Sequence, residues 1–127
     1  MTAAALVFVG LAALIHGYIF VLESLRWSAP STRKTFGIRS QEQADATQPL
    51  AFNQGFYNLF LALIALAGMV FLAAGQDAVG IALIVAGAGS MALAGVVLLV
   101  SSRRLWRAAL VQLGPPAVGL IFLALAG

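Results

Sequence analysis

The stretch Ala78 to Val100, AVGIALIVAGAGSMALAGVVLLV, holds one polar side chain, Ser90, and no charge. A helix crossing bilayer hydrocarbon needs roughly 20 mostly apolar residues, because its backbone groups find no water there and must bond within the segment. This stretch meets that requirement. Three more of the same kind flank it, at about Thr2–Leu25, Pro49–Ala74 and Leu105–Ala126. Together they consume most of the 127 residues, so the chain reads as one domain over residues 1–127. The expected fold is an all-α membrane protein, a bundle of four transmembrane helices. Its 62% hydrophobic content and mean hydropathy of +1.02 lie above the half-apolar composition of soluble domains.

The positive charges assign sides. Arg26, Arg33, Lys34 and Arg39 fall between the first and second spans; Arg103, Arg104 and Arg107 fall around the third-to-fourth connection. The N-terminus, the turn at Asp77 and the C-terminus have no basic side chain. Basic residues near helix ends stay in the cytoplasm. Both connections are therefore expected inside, with both termini on the non-cytoplasmic side of an inner, plasma membrane. The pI of 10.2 reflects this rim, which suits anionic lipid head groups, and not nucleic acid. Met1-Thr2 leads into Ala3–Ile15 without the basic opening of a cleavable signal, so the first span is expected to be retained.

The first connection, Arg26 to Gln48, is long. Trp27 stands where an interfacial aromatic belongs, and Ser28-Ala29-Pro30-Ser31 reads as a helix stop. Ser40 with Gln43 fits a capping box and predicts a short surface helix over about Gln41–Thr47. Pro49 then suits the first turn of the second span. In the third span Ala86, Ser90 and Ala94, with Gly87 and Gly95 alongside, predict a packing strip of small residues. Gly10, Ala13 and Gly17 repeat it in the first span. Such strips serve the bundle itself or a seam between copies, so a homo-oligomer through the third span is a candidate assembly. Pro115-Pro116 should bend the fourth span.

Function has to be read from polar groups placed where they are expensive. His16 and Glu23 lie seven residues apart, about 20° from alignment on a helix. Asn53, Gln54, Tyr57 and Asn58 share about 140° of the second span, and Gln112 lies just beyond Arg107. At about 1.5 Å per residue these groups can share one layer in the cytoplasmic half. Polar groups there should face the bundle interior. His16, Glu23, Asn53, Gln54, Tyr57, Asn58 and Gln112 are accordingly the candidate ligand-binding residues. Bland roles exist for each: a satisfied structural histidine, a Glu23–Arg26 pair, amides as interhelical glue, and Gln112 serving carbonyls freed by the prolines. With one histidine, no cysteine and one intramembrane carboxylate, no metal centre is expected, and no phosphate loop or other cofactor motif is present.

The order His16…Glu23…Trp27…Pro30…Phe36-Gly37, then Ala51-x-Asn53-Gln54-Gly55-x-Tyr57-Asn58-x-x-Leu61-Ala62, then Gln112…Pro116-Ala117, resembles a family of small four-helix bacterial membrane proteins of unknown function. The resemblance implies four spans and marks the same polar positions. It implies no substrate, cofactor or reaction. Three functions stay open: binding or transport of a small solute, with proton linkage through His16 and Glu23; a small membrane enzyme for lipophilic or thiol-conjugated substrates; and an accessory subunit of a larger membrane complex.

Overall fold

A computed structural model describes all residues, Met1–Gly127. Helix α1 covers Thr2–Phe20 and continues through a π turn, Val21–Leu25. Short α2 covers Pro30–Phe36, α3 Gln41–Ala73, α4 Asp77–Ser101, and α5 Trp106–Ala126 after a 3₁₀ turn at Arg103–Leu105. Four of these helices are long and apolar enough to span a membrane. They pack in a ring, α1 on α3, α3 on α4, α4 on α5 and α5 back on α1, with little contact across the α1–α4 diagonal. Both basic connections emerge at one end, called the basic end below.

The apolar core is made of small residues because lipid supplies no hydrophobic force and helices associate by close van der Waals fit. Ala5, Val9, Ala12, Ala62, Ala65, Ile84, Ala88 and Met91 are its buried centre. Away from the basic end, glycines let the helices close on one another. A Cβ on Gly80 would stand 2.6 Å from the Leu72 backbone N, and one on Gly119 2.9 Å from Val9 Cγ2. The third span packs one step round from the expected strip. Gly80, Ile84, Gly87, Ala88, Met91 and Gly95 face inward, while Ala86 and Ser90 are exposed and Ser90 Oγ donates to the Ala86 carbonyl. The glycines won because only they admit a neighbouring backbone at this distance. In the first span Ala13 is buried, but Gly17 of the expected strip has nothing within 4 Å of where a Cβ would stand.

The first connection differs from its reading. Gln41–Thr47 is no separate surface helix but the start of the 33-residue α3, with Pro49 inside it. Pro49 and Asp45 are both exposed, so the carbonyl that the proline deprives of a donor is not walled in by protein. At about 1.5 Å per residue α3 is roughly 50 Å long, well beyond the ~30 Å of hydrocarbon, so its polar first turns project past the basic end. The cap is real: Ser40 Oγ accepts from Gln43 N at 3.1 Å, and Gln43 Oε1 accepts from Arg39 N at 3.0 Å. The short surface helix is α2 instead. Pro30, read as part of a stop, occupies its first turn, where a missing N–H costs nothing. Through its two prolines α5 stays helical.

Two ties hold α2 across the basic end. Trp27 is buried against the protein; its Nε1 donates to the Ala44 carbonyl and Thr47 Oγ1, both at 3.2 Å, and its ring lies 5.1 Å from that of Phe36. Gly37 closes α2 in the left-handed region, φ 69°, and the Arg104 guanidinium carbon lies 3.4 Å from where a Cβ would project. That cation sits by the carbonyl end of the helix, where the dipole favours it.

Candidate functional site

The π turn sets the site. Arg26 N bonds the Val21 carbonyl, a ring one residue wider than α-helical, so rotation per residue falls. Glu23 lies inside this turn and therefore lags behind the phase that would have aligned it with His16. It points toward α3 instead. Gly55 lets it approach: a Cβ there would stand 3.0 Å from Ser24 N and 3.1 Å from Glu23 Cβ. Ser24 Oγ donates to the Phe52 carbonyl at 2.7 Å, fastening the turn to α3.

Across this contact Asn58 Nδ2 donates to Glu23 Oε1 at 2.7 Å and to the Gln54 carbonyl at 3.2 Å. Both partners are acceptors, so the amide orientation is fixed. Glu23 retains 8% exposure and Asn58 4%. Glu23 Oε2 and Asn58 Oδ1 take no hydrogen bond from the protein, yet neither is sealed off. They open onto a cavity of about 580 Å³, within the ~300–1,000 Å³ usual for small-molecule sites. Its walls are mainly apolar, from Ile15, Ile19 and Leu22 on one side to Leu98, Ala108 and Val111 on the other. Phe36 and Thr35 of α2 close part of its basic end. A shallower cleft of about 370 Å³, with Gln43 and Thr47 in its wall, shares Glu23, Phe36 and Gln54 with the main cavity.

Glu23, Gln54, Asn58 and Gln112 are brought together here. His16, Asn53 and Tyr57 are not among the lining residues. Asn53 and Tyr57 are exposed on the outer face of α3, Tyr57 by 58%. His16 is fully buried; its Nδ1 donates to the Ala12 carbonyl at 2.8 Å, which leaves Nε2 a bare acceptor with no partner. Thr32 Oγ1 is the other sealed polar atom without a partner. The partner of Glu23 is Asn58, not Arg26, which is exposed.

Sequence reasoning missed Arg107, Thr35 and Phe36 in the lining. Arg107 was available from spacing, since Arg107, Ala108, Val111 and Gln112 share one helix face. It is exposed, with its guanidinium carbon 5.2 Å from the centroid of the Trp106 ring. Thr35 and Phe36 depend on where α2 folds back, which no local signal carries. The set holds no cluster of histidine, cysteine and carboxylate able to bind a metal ion.

Residues 10–124 match the model of a family described as "Protein of unknown function (DUF1304)", and the chain belongs to that family. No curated protein and no solved structure matches it.

Proposed function

We propose that this family member binds a small molecule in the cavity beside Glu23, and that the basic end faces the cytoplasm with both termini outside. The observation that carries this reading is the Glu23–Asn58 pair. It is a carboxyl group and an amide held at span depth, joined to each other, with one acceptor each turned to an open cavity. A bundle needing only stability would fill this region with Ala, Leu and Gly, as its other half does, because intramembrane ionisable groups cost several kcal/mol unless they serve something. The orientation rests on the basic connections.

Binding is favoured over passage. Beyond the cavity the helices close on one another at Gly80–Leu72 and Gly119–Val9, which leaves a chamber reached from the basic end. If proton linkage exists, Glu23 is the lining carboxyl group that would carry it.

Ala108→Phe places a ring in the cavity while leaving Glu23 and Asn58 unsubstituted. A ligand screen by thermal stabilisation in detergent should give hits for the wild type that this variant loses, while its unliganded melting and elution stay as wild type. Hits that stabilise both proteins equally would refute a cavity ligand. The chain has no cysteine, so single cysteines report sidedness cleanly. A cysteine at Gly75 should react with an impermeant maleimide on intact cells, and one at Ser31 only after permeabilisation; the reverse would overturn the orientation.

A further inference from the structure

The chemistry of the cavity narrows what it takes. Asn58 spends both amide hydrogens, on Glu23 and on the Gln54 carbonyl, so only its Oδ1 remains free. Paired with a cation, Glu23 is a carboxylate with no hydrogen to give and likewise offers only Oε2. The free valence of the pair is two acceptors beside one negative charge. That combination selects a hydrogen-bond-donating cation, and an ammonium with three donors fits it. A carboxylate or phosphate on this pair would meet like charge and no donor; the donors elsewhere in the lining include Arg107 and the Gln54 and Gln112 amides.

Apart from Thr35, Gln54, Arg107 and Gln112, the remaining lining is apolar and suits an apolar body. Glu23 stands where the cleft lined by Gln43, Thr47 and Gln54 meets a chamber walled by Ile15, Ile19, Leu22, Leu98 and Val111. The cavity is also open sideways. Tyr18, Val97 and Val111 line it and yet are 62%, 63% and 56% exposed, so the chamber reaches the outer surface of the bundle within the spans. Farther along, α1 and α5 close at Val9–Gly119 and at the Phe8–Phe122 stack, 5.8 Å between centroids. A polar head at Glu23 with a tail leading to lipid is the geometry of an amphiphile, not of a water-soluble metabolite.

We propose that the cavity takes a primary-amine amphiphile from the adjoining leaflet, its ammonium on Glu23 Oε2 and Asn58 Oδ1 and its chain along the α1 and α5 walls toward lipid. This rests on the cavity being a binding site and specifies its ligand class. The amine is either the head group of a membrane lipid or a free lipophilic amine.

The full chain in phosphatidylcholine nanodiscs is photolabelled with a diazirine-bearing dodecylamine, and the labelled peptides are mapped by mass spectrometry. Label is expected on peptides containing Tyr18, Leu98 and Val111. Competing dodecyltrimethylammonium, which keeps the charge but has no N–H, should be about tenfold weaker than dodecylamine, the factor a charged hydrogen bond supplies. Laurate should be weaker still, and Glu23→Gln, which keeps the bond from Asn58, should lower labelling about tenfold. Loss of labelling when phosphatidylethanolamine enters the disc identifies a lipid head group; persistence identifies a free amine. Equal competition by laurate, or undiminished labelling of Glu23→Gln, overturns the amine assignment. If laurate binding is then abolished by Ala108→Phe, the cavity site stands and only the ligand class falls. If neither dodecylamine labelling nor competition by laurate responds to Ala108→Phe, both readings fall together.

Discussion

Glu23 and Asn58 are thirty-five residues apart in sequence and 2.7 Å apart in space, and the residue that permits it is neither of them. Gly55, one turn before Asn58, lets the π turn of α1 lie against α3. The Asn-Gln-Gly-x-Tyr-Asn run thereby divides its work: Gln54 lends a carbonyl, Gly55 lends space, and Asn58 spans the gap. Removing the bridge should be costly. Asn58→Leu is expected to lose about 2 kcal/mol, since a hydrogen bond to a carboxylate goes and a nearly buried group is left alone. Glu23→Gln keeps an acceptor for Asn58 and should lose less than half as much. Unfolding by sodium dodecyl sulfate in mixed micelles measures both, and equal losses would contradict the bridge.

Gly55→Ala tests the spacing rather than the bond. A methyl group there meets the Ser24 hydroxyl and, at 3.0 Å, the Ser24 backbone N. Overpacking of this kind costs about 1–3 kcal/mol. Adding Ser24→Ala should recover only part of that, because the backbone stays close and the bond to the Phe52 carbonyl is lost. Full recovery in the double variant would show that the hydroxyl alone, not the backbone approach, sets the need for glycine.

Span number and placement were legible because they rest on a property each segment carries alone, apolar length, and α1, α4 and α5 begin and end within a few residues of their expected bounds. Four of the seven candidate site residues line one cavity, Gln54, Asn58 and Gln112 from regular helix faces and Glu23 from the π turn. What failed to be legible depends on pairs. The π turn turns Glu23 away from the His16 register, and nothing in Val21–Leu25 taken alone announces it. Ala86 and Ser90 look as suitable for packing as Gly87, and only the proximity of Ala65, 2.9 Å from a Cβ on Gly87, decides between them. Pro49 reads as a boundary, yet sits inside α3 because its face is exposed.

The ties that seat α2 should control access to the cavity's basic end. Gly37→Val puts a β-branched side chain at φ 69° and against Arg104, a strain of about 1–3 kcal/mol. Trp27→Ala removes the ring under Phe36 and the bonds to Ala44 and Thr47. In either variant, amide exchange in residues 30–37 should quicken at least about tenfold, while α4 is unchanged, as expected for local opening. Exchange that rises equally in α4 would mean that α2 is part of the bundle's global cooperativity and no separate unit.

His16 is the clearest contrast with Glu23. Both are nearly or fully buried, but Glu23 opens on the cavity and His16 Nε2 opens on nothing. A sealed acceptor without a partner costs about 1–3 kcal/mol. The bond from Nδ1 is made to its own helix, at the Ala12 carbonyl, and contributes nothing between helices. Replacement by an apolar side chain of similar size therefore removes a penalty and little else. His16→Leu should be as stable as the wild type or more so, and should leave dodecylamine labelling within about twofold, well inside the tenfold expected of a lost charged hydrogen bond. A variant that is less stable, or that no longer binds, would show that His16 meets a partner or ligand on its Nε2 side and belongs to the site after all.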